Sequence, residues 1–179
     1  KQEGNRTKLV NKKYYHHTGK ESFWEGFENF LYEHYSYDHR TWLVINGDGA
    51  SWISACTEYF QHCVFVLDRF HIAKGLRTYL RDHPQAYRKA REALAQYNGK
   101  ELTTFLRSLN LNFDQAMKGQ EWERFVAWVE ANQAFIRDYR EVLKRERIDT
   151  AGMRPMGAAE AMMRTIAGRM KSKGYSWSE

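Results

Sequence analysis

Two short runs of consecutive apolar residues constrain the fold of this chain more than any other feature. Residues 42–46 (WLVIN) end just before the Gly-Asp-Gly segment around Asp48, and residues 63–67 (CVFVL) end just before Asp68. Their length and β-branched content favour buried strands over helices. Residues 50–60, between the two runs, have apolar positions at helical spacing. This order predicts a βαβ unit, in which two adjacent strands run parallel.

The remainder of the chain is predicted to be mainly helical. Only 2 of the 179 residues are Pro, which leaves long stretches free to form helices. Apolar residues at helical spacing predict helices over residues 21–35, 70–80, 84–97, 99–109, 113–131, 134–147 and 156–171. Ser22 or Thr18 is the expected cap of the first helix. Loose alternation over residues 6–17 predicts an exposed or edge strand.

The composition is that of a soluble globular chain with an excess of positive charge. Hydrophobic residues make up 42% and charged residues 28%, and 28 Lys and Arg against 22 Asp and Glu give a net charge of +6. That charge agrees with a polyanionic partner without identifying one. The sequence has no run of about 18 apolar residues and no signal peptide. Its 2 cysteines cannot form the disulfide framework of a small secreted domain. We therefore expect a cytoplasmic protein without a membrane partner.

Each predicted strand is followed by an acidic residue. Parallel strands bring their carboxyl ends to one edge of a sheet, where ligands and catalytic groups gather. Asp48 lies between two glycines, which leave room for a ligand or a metal ion. Asp68 and His71 are three residues apart at a helix start, so their side chains can share one face. For Asp48, two interpretations stay open: a metal or catalytic site, or capping of the helix that follows. Asp68 and His71 could orient a metal ligand or hold a loop by hydrogen bonding, or Asp68 could simply cap the next helix.

A third acid of interest, Glu160, lies on the last predicted helix, beside a stripe of apolar residues. Four cations give this helix and the tail after it a basic side suited to phosphates: Arg164, Arg169, Lys171 and Lys173. The alternative interpretation of the glutamate and of the cations is an ordinary solvated helix face.

Several other chemistries lack their motifs in this sequence. It contains neither the Gly-x-x-x-x-Gly-Lys-Ser/Thr loop of P-loop nucleotidases nor the Gly-x-Ser-x-Gly elbow of α/β-hydrolases. Cys56, His62, Cys63 and His71 would supply four ligands for zinc, but their spacing matches no standard zinc module.

Carboxylates after two central strands and on a distant helix favour two-metal phosphoryl transfer, because hard oxygen ligands suit Mg²⁺. The same residues carry a resemblance to a known family, the ISLre-type insertion-sequence transposases, which have Mutator-like relatives. The segments that resemble this family occur in its order, from about Arg6 to Ser178. They are Gly47-Asp48-Gly49-Ala50-x-Trp52-Ile53, Leu67-Asp68-x-Phe70-His71, Gly157-x-x-Glu160, Arg169-Met170-Lys171 and Ser176-Trp177-Ser178.

The resemblance implies an α/β fold with a ribonuclease-H-like DDE core and a large all-helical insertion. By position, residues 1–72 would hold the central strands and helices of the core. Residues 73–150 would form the insertion, and residues 151–179 would form the catalytic helix at the C-terminus.

Catalytic roles also follow from the resemblance. It implies Asp48 as the second catalytic Asp and Glu160 as the final Glu, both ligands in a two-metal site for Mg²⁺ or Mn²⁺. Asp68 and His71 would match a Cys/Asp-x-x-His signature with an auxiliary role.

The activity implied by the resemblance is metal-dependent cleavage of DNA at insertion-sequence ends and transfer of the resulting 3′ hydroxyl to target DNA. DNA is therefore the expected partner, and the protein would associate with the nucleoid when it acts. Two expectations stay open for the helical insertion: contact with DNA, or packing against a second copy in a homodimer.

One part of the family pattern is not found. A DDE core also has a first Asp on the first strand of its sheet, and no strand-borne Asp precedes Asp48 in this sequence. We expect this chain, which begins with Lys1, to be a fragment or truncated product that is inactive alone. The alternative function, from a different class, is a non-catalytic DNA- or RNA-binding module with a ribonuclease-H-like fold.

Overall fold

The computed structural model describes residues 2–3, 6–7, 13–113 and 115–156. Its contacts divide the chain into two units, Lys1–Thr41 and Trp42–Glu179, which are considered separately. The strands are β1 (Gln2–Glu3), β2 (Arg6–Thr7), β3 (Leu43–Gly47) and β4 (Cys63–Leu67). The α-helices are α1 (Phe23–His34), α2 (Ser51–Ser54), α3 (Cys56–Tyr59), α4 (Arg69–Tyr79), α5 (Pro84–Ala95), α6 (Gly99–Ser108), α7 (Ala116–Ala131) and α8 (Tyr139–Arg145), with one 3₁₀ helix (Gln133–Phe135).

The first unit is built around α1. Ser22 caps this helix by accepting a hydrogen bond from the backbone N–H of Glu25 at 3.3 Å, which confirms Ser22 as the predicted cap. The aromatic face of α1 is covered by Tyr15, whose ring lies 5.6 Å from that of Phe23 and 5.4 Å from that of Phe30. Aromatic packing therefore holds the segment before α1 against this helix.

The prediction of a strand over residues 6–17 is wrong for most of the residues that the structure describes in this range. Only Arg6–Thr7 forms a strand, and it pairs antiparallel with Gln2–Glu3. Residues 13–17 have no strand pairing, and residues 8–12 lie outside the described part of the chain. The loose alternation over 13–17 reflects the packing of Tyr15 and His17 toward α1, with their side chains hydrogen-bonded at 2.9 Å.

The second unit contains the βαβ arrangement that the sequence predicts. β3 and β4 pair in parallel, with register from Leu43 opposite Cys63 to Gly47 opposite Leu67. This confirms the parallel pairing, and the bounds of β4 are as predicted. β4 is the more deeply buried strand, since residues 64–67 are at most 3% exposed, whereas β3 is half-buried along its whole length.

The connection between the two strands differs from the single helix predicted over residues 50–60. It consists of two one-turn helices, α2 and α3, which meet at Ala55. The Ser54 hydroxyl donates to the Ser51 carbonyl, and the Thr57 hydroxyl donates to the Ser54 carbonyl, at 3.0 and 3.1 Å. Short hydroxyl side chains that bond to nearby backbone compete with regular helix, and apolar spacing alone does not reveal that competition.

The strand pair packs against helices on both faces. On one face, Val64 and Val66 contact Tyr139 and Leu143 of α8, and Met156 joins the same cluster. On the other face, Phe65 meets Phe135 edge-to-face at 4.9 Å, and Leu67 belongs to the core of the helical block.

The helical block contains α4 to α7. Its core includes Ile72 and Leu76 of α4, both fully buried. α4 crosses α7 at Gly75, where a Cβ atom would collide with the ring of Phe125, so a glycine is needed for this close approach. The predicted helices over 70–80, 84–97, 99–109 and 113–131 are confirmed, with shifted ends.

The last helical segment predicted within the block, residues 134–147, is instead a 3₁₀ turn followed by α8. Asp138 accepts a hydrogen bond from the backbone N–H of Arg140 and so starts a new helix at Tyr139. Of the helix predicted over 156–171, only Met156 lies within the described residues. None of the described helices has the length and apolar character to cross a membrane.

Candidate active site at the strand ends

Asp48 and Asp68 lie side by side. Each follows directly on one of the two parallel strands, and the last residues of these strands, Gly47 and Leu67, are partners in the register. The backbone N–H of Asp68 also donates to the carbonyl of Gly47 at 2.7 Å. The structure therefore brings two of the predicted site residues to the same edge, as expected for the carboxyl ends of neighbouring parallel strands.

Asp48 is the exposed member of this pair. Its Oδ1 accepts a hydrogen bond from the backbone N–H of Ala50 at 3.0 Å, one residue before the start of α2. In the described part of the chain, Oδ2 has no hydrogen-bond partner. Gly49 has φ +88° and passes close to Leu67 and Asn132, so a side chain at this position would be both strained and crowded. The turn thus presents one carboxylate oxygen of Asp48 to solvent.

Asp68 has a different environment. It is 7% exposed, and its Oδ1 accepts a hydrogen bond from the backbone N–H of Phe70 at 2.9 Å. This is an N-cap of α4, so the capping interpretation is confirmed for Asp68. Burial and capping leave this carboxylate less available to a ligand than Asp48.

His71 is exposed on the first turn of α4. Its backbone N–H donates to the Asp68 carbonyl at 3.3 Å, and its ring lies 5.5 Å from that of Phe70. The described contacts include none between the side chains of His71 and Asp68. The Asp68 carboxylate instead accepts from the backbone of α4, and the auxiliary role expected for the two residues stays a prediction.

Asn46, which the sequence pattern did not single out, lies near the end of β3. Its Oδ1 is buried, and no described group hydrogen-bonds to it. Asn46 is the fourth residue of β3, and Asp48 follows the end of this strand. A buried polar atom without a partner costs about 1–3 kcal/mol. The sequence signal that could have identified Asn46 is its polar amide side chain at the end of the apolar run 42–46.

A cavity of about 240 Å³ adjoins Asp68. Residues from α4, α5 and the last described segment line it, among them Arg69, Arg91 and Met156. The segment before Met156 is held in place by the Tyr139 hydroxyl, which donates to the carbonyl of Arg154 at 2.6 Å. The chain therefore reaches Met156 next to the strand ends.

The other predicted site residues, Glu160, Arg164, Arg169, Lys171 and Lys173, lie outside the described residues. The structure gives no geometry for them.

The oxygen atoms at this edge are of the kind that the implied divalent cation prefers. Within the described ranges, no three His, Cys, Asp or Glu side chains come together as a metal site. Two kinds of oxygen are available: the unpartnered carboxylate oxygen of Asp48 and the orphaned amide oxygen of Asn46. Hard oxygen donors of this kind fit Mg²⁺ or Mn²⁺ as part of a larger ligand set.

The four residues considered for zinc do not form a site. Cys56 and Cys63 are near one another, and the Cys63 thiol donates to Cys56 Sγ at 3.6 Å. This hydrogen bond, together with burial, raises the pKa of Cys63 well above its usual value. His62 lies instead against the ring of Trp42, at 5.1 Å between ring centroids.

A family model covers the whole chain. The uncharacterised protein family UPF0236 matches residues 1–179. The chain belongs to this family. No curated protein and no solved structure matches the chain.

Proposed function

We propose that this member of UPF0236 is the catalytic core of a DNA transposase of the ISLre type, with a ribonuclease-H-like fold. The observation that carries the proposal is the pair of acids at adjacent parallel strand ends, of which Asp48 is exposed with one free carboxylate oxygen. The order of sequence segments that resemble this transposase family adds support.

In the proposed site, Asp48 and Glu160 hold the Mg²⁺ or Mn²⁺ ions, and the amide oxygen of Asn46 is available as a further ligand. When bound, the ions would activate the attacking oxygen and stabilise the leaving oxygen of a phosphodiester. Asp68 acts as a positioning residue: its carboxylate caps α4 and fixes the junction between β4 and α4.

Asp48→Asn and Glu160→Gln, made in the full-length protein, test this proposal. Strand transfer of DNA carrying element ends is measured with Mg²⁺ present, and DNA binding is measured separately. We expect each variant to lose activity by more than about 100-fold, since even outer-shell partners of a metal site contribute 10–100-fold. DNA binding should be retained.

Asp149→Asn is the matched control for Asp48→Asn. Asp149 is also exposed, and its Oδ1 accepts from the backbone N–H of Ala151 at 2.9 Å, the same local hydrogen bond that Asp48 makes. The control should retain strand transfer. Unchanged strand transfer in Asp48→Asn, or equal loss in the control, would contradict the assigned role.

A second candidate is a non-catalytic DNA- or RNA-binding module of the same fold. The observation in its favour is that the described residues bring only two carboxylates to the strand ends, one of them engaged as a helix cap. This function predicts nucleic-acid binding that is unchanged by Asp48→Asn and by removal of Mg²⁺, with no strand transfer by the full-length protein.

A further inference from the structure

The positive charge of the chain is concentrated in one segment. Residues 69–91 carry seven cations and one acid, Asp82, so their net charge equals the +6 of the whole chain. The other 156 residues carry 21 Lys and Arg and 21 Asp and Glu. The seven cations are Arg69, Lys74, Arg77, Arg81, Arg88, Lys89 and Arg91.

These cations belong to α4, α5 and the turn that joins them, which we name the basic hairpin (residues 69–91). Arg69 is half-buried, and the other six are exposed. Arg69 stacks over the ring of Tyr97 at 4.3 Å, and Lys89 lies over the ring of Phe105 at 4.7 Å. Aromatic rings orient these two side chains and leave their full charge available to a ligand.

None of the seven cations forms an ion pair within the described residues. Two arginines elsewhere in the second unit, Arg107 and Arg140, are paired with acids. Arg107 pairs with Glu123 and Glu130 at 3.0 and 2.6 Å, and Arg140 pairs with Asp138 at 2.5 Å. Glu92 and Glu101 line a pocket with Arg88 and Lys89, but no described acid lies within ion-pair distance of the seven cations.

The basic hairpin also reaches the candidate active site. Arg69 and Arg91 are 22 residues apart in sequence and line one cavity together with Asp68 and Met156. A polyanion that follows the hairpin would therefore pass beside the strand ends.

The surface of the basic hairpin is better suited to binding a dissolved polyanion than to binding a membrane. The large apolar side chains that are exposed in the described residues all lie outside 69–91. A membrane-surface helix needs such side chains for insertion. α4 and α5 have 11 and 12 residues, which at 1.5 Å per residue gives about 17 Å. That length matches about five phosphates of one DNA strand at 3.4 Å each.

We propose that the basic hairpin binds the sugar–phosphate backbone of duplex DNA and guides it to the strand ends, with Arg69 and Arg91 nearest the site. The choice of DNA as the polyanion rests on the proposed function. The helical block then serves as a DNA-binding element, and the cations of the last predicted helix are not the main contacts.

The test compares two charge-matched variants of the full-length protein. The hairpin variant carries Lys74→Gln, Arg77→Gln, Arg88→Gln and Arg91→Gln. The control variant carries Lys20→Gln, Lys118→Gln, Arg124→Gln and Arg145→Gln, four exposed cations without a described ion pair. Binding to a labelled 30-bp duplex is measured by fluorescence anisotropy at 50 to 200 mM salt with EDTA present, and circular dichroism checks that both variants fold.

We expect the hairpin variant to lose at least about tenfold in affinity, because each neutralised phosphate contributes through counterion release. The slope of log K against log salt should fall by up to about 3.6, which is about 0.9 for each of the four contacts. The control variant should change by less than threefold. Equal losses in both folded variants, or wild-type binding by the hairpin variant, would overturn the proposal.

Two further arms identify the polyanion and the surface. A larger loss on double-stranded RNA or on anionic lipid vesicles than on DNA would overturn the assignment to DNA. A third variant replaces the four cations of the last predicted helix and tail with Gln: Arg164, Arg169, Lys171 and Lys173. If this variant loses binding fully while the hairpin variant keeps it, the DNA-binding surface is the last predicted helix and not the basic hairpin. Because binding is measured in EDTA, its result is independent of whether Asp48→Asn abolishes strand transfer.

Discussion

The ends of β3 and β4 occupy equivalent positions in the βαβ unit, yet the acids that follow them have different environments. β3 is half-buried, and its end presents an exposed Asp48 after an orphaned amide oxygen of Asn46. β4 is buried, and its end presents Asp68, which is 7% exposed and caps α4. The difference teaches that adjacent acids at a sheet edge need not share a role. The end of β3 is available to a ligand, whereas the end of β4 stabilises the fold.

The largest expected effect concerns the burial of the two strands. Phe65 of β4 is fully buried, whereas its register partner Ile45 of β3 is half-buried. Phe65→Ala should lower the free energy of unfolding by about 3–5 kcal/mol, through lost burial and the cavity left behind. Ile45→Ala should cost about 1–2 kcal/mol. Urea denaturation measures the free energy of unfolding of both variants. Equal losses would contradict the difference in burial between β3 and β4.

A second prediction concerns the backbone of β4. Arg137 donates from Nε and Nη2 to the Phe65 carbonyl at 3.1 and 3.0 Å, although burial lowers the pKa of this arginine. Arg137→Met should cost about 1–3 kcal/mol, because it leaves a buried carbonyl without a partner. Arg145→Met, at an exposed position, is the control and should stay within about 0.5 kcal/mol of the wild type. Thermal denaturation that shows no difference between the two would contradict this role of Arg137.

The two acids give the sharpest test of the contrast. Asp68→Ala should cost about 1 kcal/mol, the usual loss for a helix N-cap, and Asp68→Ser should recover most of it. Asp48→Ala should cost no more than about 0.5 kcal/mol, since its hydrogen bond to Ala50 is exposed and precedes a single helical turn. Equal losses at the two positions, measured by urea denaturation, would show that both acids are structural.

The smallest effect concerns the first residue of β4. The raised pKa of Cys63 lowers the fraction of thiolate at pH 8, and the thiolate is the nucleophile in alkylation. Iodoacetamide should therefore modify Cys63 more slowly in the folded protein than in 6 M urea. Cys56→Ala removes the acceptor of the Cys63 hydrogen bond and should increase the rate. Mass spectrometry follows the modification, and a folded rate equal to the unfolded rate would contradict this environment.

Much of the second unit could be predicted from the sequence. The runs of apolar residues located both strands, because a buried strand is apolar along its whole length. Helical spacing located α4 to α7, because each of these helices buries one apolar face. The break at Ala55 was missed, since it depends on the Ser54 and Thr57 hydroxyls bonding to backbone. The strand expected over 13–17 failed because Tyr15 packs on an aromatic helix face rather than in a sheet.

The candidate site was predictable in part. The acids after each strand were identified from sequence, and parallel pairing brings them to one edge. The sequence left open whether each was a cap, because the same residue type serves both roles. The orphaned Asn46 oxygen and the cavity shared by Arg69 and Arg91 depend on packing between distant segments, which local patterns do not contain.

The sequence by itself determined the order of strands and helices, the acids at the strand ends and the concentration of charge in residues 69–91. These features depend on residue type, spacing and local hydrophobicity, so they are readable without coordinates. Only the tertiary structure decided that Asp48 is exposed while Asp68 is buried, and that the basic hairpin adjoins the strand ends. Burial and proximity arise from contacts between residues far apart in the chain, which no local pattern specifies.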